Sequence, residues 1–162
     1  MLEFADGAFL ETHLPKSQIA LRFIAASLLG ALIGAEREWR SRPAGLRTHT
    51  LTALASAVFT IVMLEILHSD TLGLEHVQVD PIRIIEAVTA GVAFLAAGAI
   101  IQSRGQVHGL TTGAAMWLAG AVGVSCGLGY VAIGAMATAI CLAVIVALGF
   151  LQPKPSEPNR DA

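Results

Sequence analysis

The apolar residues of this chain fall into five long runs, not into the one-sided stripe of a soluble helix. The runs cover about Gln18 to Ala35, Thr50 to Leu67, Ile82 to Ile101, Leu110 to Ser125 and Tyr130 to Leu151. Helices buried on one face carry polar residues at every third or fourth position, and these runs do not. About 20 apolar residues cross the hydrocarbon core of a bilayer, so each run predicts one membrane crossing. Between Arg104 and Lys154 there is no Lys, Arg, Asp or Glu. That stretch is roughly twice the length of one crossing and has to turn back. The turn is predicted at Gly127-Leu-Gly129, because glycine is the weakest point of a helix.

The expected fold is therefore all-α: a polytopic membrane bundle of about five transmembrane helices within residues 18–151. Residues 1–17 are read as an extracytoplasmic segment and residues 152–162 as a cytoplasmic tail. Pro153, Pro155 and Pro158 stand among polar residues in that tail, a composition that buries no core and predicts disorder. Composition agrees with lipid as the medium, since 55% of residues are hydrophobic and 14% charged, against about 25% charged in an ordinary globular domain. The first residues, Met1-Leu-Glu-Phe-Ala-Asp, are acidic where a cleavable signal would be basic, so the first crossing is expected to serve as its own insertion signal.

Charge sets the expected orientation. Arg37, Arg40, Arg42 and Arg47 follow the first run, whereas Asp70, Glu75 and Asp80 follow the second, with Arg83 at the margin. Cytoplasmic loops keep the excess of Lys and Arg. The basic loop, Arg104 and the tail with Lys154 and Arg160 are then expected inside, and Glu3, Asp6 and Glu11 outside. The net charge of −2 gives no argument for nucleic acid, and none is expected as a partner.

Small residues recur at four-residue spacing: Ala26, Gly30 and Gly34; Ala115, Ala119, Gly123 and Gly127; Ala135, Ala139, Ala143 and Ala147. In lipid such stripes let backbones approach closely, which marks helix-helix faces within the chain or in a homo-oligomer. Gly91, Gly98 and Gly113 are counted with Gly30, Gly34 and Gly123 as packing positions.

Ionisable residues inside the runs are more telling, because each costs about 2.5 to 3.5 kcal/mol at a helix centre on the insertion scale. Arg22, Glu65, Arg83 and Glu86 are the four, all near the outer ends of their helices, and Arg22 with Glu86 is the favoured ion pair. One reading has them snorkel or neutralise one another. The other has the acidic members line an outward cavity for a cation.

At the inner end Glu36 with Arg40 and Glu38 with Arg42 stand at the spacing of helical ion pairs. Arg37, Arg47, Thr48 and His49 are expected to converge there with Arg104, His108, Thr111 and Thr112. Such a cluster suits the phosphates of membrane lipid or the carboxylates of a partner; the plainer reading is ordinary positive-inside loop charge. His13, His49, His68, His76 and His108 share no helical spacing, and Cys126 and Cys141 lack the paired spacing of a metal or redox site. Asp70, Glu75 and Asp80 are too dispersed for a calcium-type cage. With no nucleophile elbow, phosphate loop or zinc-protease motif, no catalytic residue, metal or cofactor is assigned, and the chain is not read as an enzyme.

Three stretches resemble the membrane region of the MgtC/SapB family. They are Gly34-Ala-Glu-Arg-Glu with Pro43-Ala-Gly-Leu-Arg-Thr-His-Thr50, Asp80-Pro-Ile-Arg83 leading to Gly91-Val-Ala-Phe-Leu-Ala-Ala-Gly98, and His108-Gly-Leu-Thr-Thr-Gly-Ala-Ala-Met-Trp117. The family usually reads Gly where this chain has Ala96 and Arg where it has His108. The resemblance implies a bacterial inner-membrane protein tied to magnesium limitation and stress adaptation, in a virulence-associated family. Some members are reported to restrain the F-type ATP synthase, which makes that enzyme a partner by resemblance. Many members carry a soluble C-terminal domain outside the region matched, and roles residing there are not expected of these residues. The expected function is a non-enzymatic regulator of another membrane protein; the alternative is a magnesium or other cation transporter or channel subunit.

Overall fold

Each of the five runs forms a helix in the computed structural model of the chain, which describes residues 12–68, 80–103 and 106–149. The helices are α1 (Lys16–Trp39), α2 (Leu46–Leu67), α3 (Ile82–Gly98), α4 (Leu110–Gly127) and α5 (Val131–Gly149). Two short strands, β1 (Ile101–Ser103) and β2 (Gln106–His108), stand between α3 and α4. The chain is a membrane protein: α1, α2, α4 and α5 are each long and apolar enough to cross a bilayer. With 17 residues, α3 stands at the lower limit of about 17 to 25 for a crossing. The expected terminal segments fall mostly outside the described residues, as do Asp70, Glu75, His76 and Arg104.

The boundaries differ from the apolar runs where polar groups extend or end a helix. α1 continues four residues past Ala35, through Glu36 to Trp39, because Glu36 holds the last turn by its contacts with Arg37 and Arg40. α2 begins at Leu46 because the carboxylate of Glu38 accepts the Leu46 N–H at 2.8 Å. Arg47, Thr48 and His49 therefore belong to the first turn of α2, not to a loop. α3 ends at Gly98, and Ile101, expected as helix, begins an antiparallel ladder pairing Ile101 with His108 and Ser103 with Gln106. The turn expected after α4 is present. Gly129 adopts φ +93°, its N–H reaches Cys126 O at 2.9 Å and the Tyr130 N–H reaches Ser125 O at 2.8 Å, the double bond of a Schellman motif.

α1, α2 and α4 make the closest packing, with α3 laid on α4 and α5 on α4 and α1. Glycines create that closeness. A Cβ added at Gly30 would stand 2.7 Å from the carbonyl oxygen of His49, and one at Gly34 the same distance from the Leu46 Cα. At Gly123 it would overlap the carbonyl oxygen of Ala53, and at Gly127 it would lie 2.7 Å from Thr60 Cβ. The facing surface of α2 carries buried hydroxyls, a poor choice in lipid unless they are satisfied. Thr52, Ser56 and Thr60 each donate to the carbonyl four residues back, at 2.8 Å, so α2 satisfies them internally.

Not every small-residue stripe is used. Ala135, Ala139, Ala143 and Ala147 face outward, because α5 buries Gly134, Thr138 and Cys141 instead. A Cβ added at Gly91 or Gly98 would meet nothing within 4 Å among the described residues, so neither glycine packs against another described helix. Gly113 does pack: its added Cβ would lie 3.2 Å from Ala96 O.

These contacts predict that Gly123→Val lowers stability by about 1 to 3 kcal/mol, the usual cost of overpacking, while Gly98→Ala changes it by less than about 0.5 kcal/mol in either direction. Thermal unfolding of both variants in one detergent tests the contrast; equal losses would mean that Gly123 is not at a backbone contact.

Candidate functional site at the basic end

The end of α1 turns sharply, and the turn places its arginines. Ser41 has φ 52°, its N–H bonds Glu38 O at 2.9 Å, and the Arg42 N–H bonds Arg37 O at 3.0 Å. Arg42 is thereby folded back across the helix end. Glu36 lies between two guanidinium groups, with Arg37 Nε 2.6 Å from Oε2 and Arg40 Nε 2.6 Å from Oε1. The first contact is also a directed hydrogen bond. The second lacks hydrogen-bond geometry and is an electrostatic contact only, since Oε1 accepts no hydrogen bond among the described residues. Of the two expected helical pairs, Glu36 with Arg40 forms and Glu38 with Arg42 does not, because Glu38 caps α2. Arg37 is only 2% exposed, so its charge is held by Glu36 instead of water.

α4 starts beside these arginines. Its first residue follows Gly109, which has φ +87° and no room for a Cβ, since one would overlap Ala99 O. No side chain among the described residues caps this helix start, and the first intrahelical bond runs from Gly113 N to Gly109 O at 2.8 Å. The preceding N–H groups and the positive end of the helix dipole favour an anion. α1, the turn, α4 and the end of α5 enclose an open cleft of about 540 Å³ lined by Arg37, Arg40, Arg42, His108, Thr111 and Thr112. Among the described residues three arginines and no Asp or Glu line the cleft, so its lining is cationic.

The structure thus brings together four residues expected at this mouth: Arg37, His108, Thr111 and Thr112. Arg47 is exposed and Thr48 half-buried on the first turn of α2, and neither lines the cleft. His49 is fully buried against α1, with Nδ1 2.9 Å from Gly45 O. A carbonyl can only accept, so Nδ1 carries the proton, and Nε2 has no partner among the described residues. Arg40 and Arg42, which the sequence offers only as basic-loop charge and as partners in helical ion pairs, also line the cleft. Arg37 and Arg40 stand three apart, on one helical face, once α1 is extended past its apolar run.

Comparison with known proteins places the chain in a family. The sequence pattern of the MgtC family matches residues 23–153. This chain belongs to the MgtC family. It is 44% identical over 128 residues to protein MgtC of Salmonella typhimurium strain LT2, covering 79% of this chain and 51% of that one. Protein MgtC of Brucella abortus strain 2308 is 39% identical over 130 residues, covering 80% and 51%. YhiD of Escherichia coli strain K12, provisionally named a magnesium transporter, is 38% identical over 129 residues, covering 80% and 60%. The chain therefore spans half to three-fifths of the length of these relatives. No solved structure matches it.

The two departures from the usual MgtC/SapB pattern have places in the fold. Ala96 is buried against α4, where Gly113 supplies the room that a glycine at 96 would otherwise give. His108 is exposed at the cleft rim.

At the acidic end of this MgtC-family bundle the expected Arg22–Glu86 pair does not form. Arg22 Nη1 instead donates to Gly127 O at 2.7 Å and the guanidinium lies against Gly129, so it closes the end of α4. Cations at a helix C-terminus satisfy free carbonyls and oppose the dipole. Glu65 accepts the N–H groups of His13 at 2.6 Å and Leu14 at 3.0 Å, which ties the start of α1 to the end of α2. The His13 and His68 rings stack beside it, centroids 4.2 Å apart. Arg83 and Glu86 are exposed on α3 around an open groove with Asp80, and neither forms an ion pair with another described residue. No group of three potential metal ligands occurs among the described residues.

It follows that Arg22→Gln lowers stability by about 1.5 to 3 kcal/mol, the range for a hydrogen bond to a charged group, and that Glu86→Gln changes it by less than about 0.5 kcal/mol. The double variant should show additive losses in thermal unfolding. Rescue of Arg22→Gln by Glu86→Gln would restore the ion pair and remove the cap.

Proposed function

We propose that this MgtC-family chain is a non-enzymatic regulator in the bacterial plasma membrane that acts by binding another membrane protein under magnesium limitation or related stress. The supporting observation is the division of its small-residue stripes. Those of α1 and α4 are consumed by contacts inside the chain, whereas α3 and α5 present theirs outward. On α3, Ala87, Ala90, Gly91 and Gly98 lie on exposed backbone beside Phe94, itself 80% exposed. Arg83 and Glu86 stand at the outer end of the same helix with no ion-pair partner among the described residues. A partner helix with its own acidic and basic residues at that depth is complementary in both shape and charge. The F-type ATP synthase and a second copy of the chain are the partners proposed by resemblance and by self-complementarity of Arg83 with Glu86.

Cation transport is the competing reading, supported by the name of the Escherichia coli relative and by Asp80 and Glu86 around the α3 groove. Against it, Glu65 spends both carboxylate oxygens on backbone N–H groups and Glu36 lies between two arginines. A path would have to be enclosed by several copies.

Two measurements separate these readings. In native membranes a chain carrying Ala90→Cys, with buried Cys126 and Cys141 replaced by Ala, should crosslink to a distinct membrane protein or to itself, and a Cys at the cleft residue Ser41 should not. In liposomes with a magnesium-sensitive dye the chain should give no saturable influx. Influx abolished by Glu86→Gln would overturn the regulator reading.

A further inference from the structure

The basic cleft does not end at the helix termini. A second cavity, about 490 Å³ and almost wholly apolar in its lining, runs between the halves of α4 and α5 nearest the basic end. Thr111, Val144 and Ile145 line both spaces. A cationic recess thus opens directly into a lipid-facing apolar groove, and a ligand that fills both must be amphipathic and anionic. A free phosphate would leave the groove empty. A soluble acidic segment would leave it facing only lipid.

We propose that cleft and groove are one site for a single anionic phospholipid. Its phosphate lies against Arg37, Arg42 and the open start of α4, and one acyl chain lies in the groove beside Ala114 and Cys141. The headgroup side provides charge-assisted, bidentate-capable guanidinium groups and free helix N–H groups, the donors suited to phosphate oxygens. Basic pockets between transmembrane helices at the membrane surface are recognised places for acidic lipid headgroups. The groove side is shaped by small residues, Ala114, Ala115 and Ala137, which leave a furrow where larger side chains would close it. The outward alanine stripe of α5 is on its other face, so a partner helix docked there and a lipid here do not compete. The site holds whether the chain regulates or transports.

The test uses the full chain purified in a neutral detergent, with thermal unfolding and native mass spectrometry read against added phosphatidylglycerol, phosphatidylcholine, inorganic phosphate and a water-soluble acidic peptide. Phosphatidylglycerol alone should raise the midpoint and survive as a one-to-one adduct. Arg42→Gln, an exposed change at the headgroup, should weaken that binding by about tenfold or more. Ala114→Phe, which fills the groove from its exposed side, should weaken it comparably. Arg47→Gln removes an equal charge at the same end but outside the cleft and should leave binding unchanged. Equal stabilisation by inorganic phosphate would mean an ion site and overturn the proposal, and stabilisation by the acidic peptide would mean a protein-docking surface. Equal loss in Arg42→Gln and Arg47→Gln would reduce it to general surface charge, and an unaffected Ala114→Phe would remove the acyl chain from the site.

Discussion

Close backbone approach among α1, α2 and α4 is the constraint on which the rest of this structure depends. In lipid no hydrophobic force draws apolar helices together, so contact distance decides the dispersion gained. Gly30, Gly34, Gly123 and Gly127 each stand where a single methyl group would meet backbone or Cβ atoms of α2. α2 answers with Ala53, Ser56, Ala57 and Thr60, small residues whose hydroxyls are satisfied within their own helix. The three-helix contact fixes where both helix ends and both sets of charges lie.

That contact also explains the roles of the charges at the acidic end. Once α1 and α4 are held side by side, Arg22 is carried to the exit of α4 and closes its carbonyls. Glu65, carried by α2 to the entry of α1, accepts two N–H groups there. Each group is used as a cap on a neighbouring helix, which is how a bilayer-spanning helix meets the requirement for satisfied backbone at its termini. α3 lies outside the central contact, so its Arg83 and Glu86 receive no such work.

The helices were readable because lipid demands a signal too long to miss, and so was the hairpin at Gly127-Leu-Gly129. The ends of the helices were less so, because polar residues decide them through contacts distant in sequence. Glu38 starting α2 at Leu46 is one case, and Ile101 passing into β1 is another, where an apolar residue continued the run past Gly98. Of the residues expected at the basic mouth, those on α4 and at the α1 terminus do line the cleft. Arg47, Thr48 and His49 were misplaced because that earlier start rotates them about α2, turning His49 inward and Arg47 outward. The Arg22–Glu86 pair failed for a related reason: shared depth does not give shared azimuth around a bundle, and only the packing stripes carry azimuth.

The two ends of the bundle therefore differ in what their charges have left to do. At the acidic end the buried or half-buried groups are spent on caps, and those remaining on α3 lie on an open helix face. At the basic end Arg37 and Arg40 share the Glu36 carboxylate beside a cleft that Arg42 also lines, and a helix start opens into the same space with no side-chain cap among the described residues. Positive charge in a cleft with low-dielectric walls concentrates anions whatever the bulk composition. A bundle whose apolar core is self-sufficient needs no such arrangement for stability. The cationic lining of that recess is accordingly the feature that points outward, toward something negatively charged that the other described residues of the cleft do not provide.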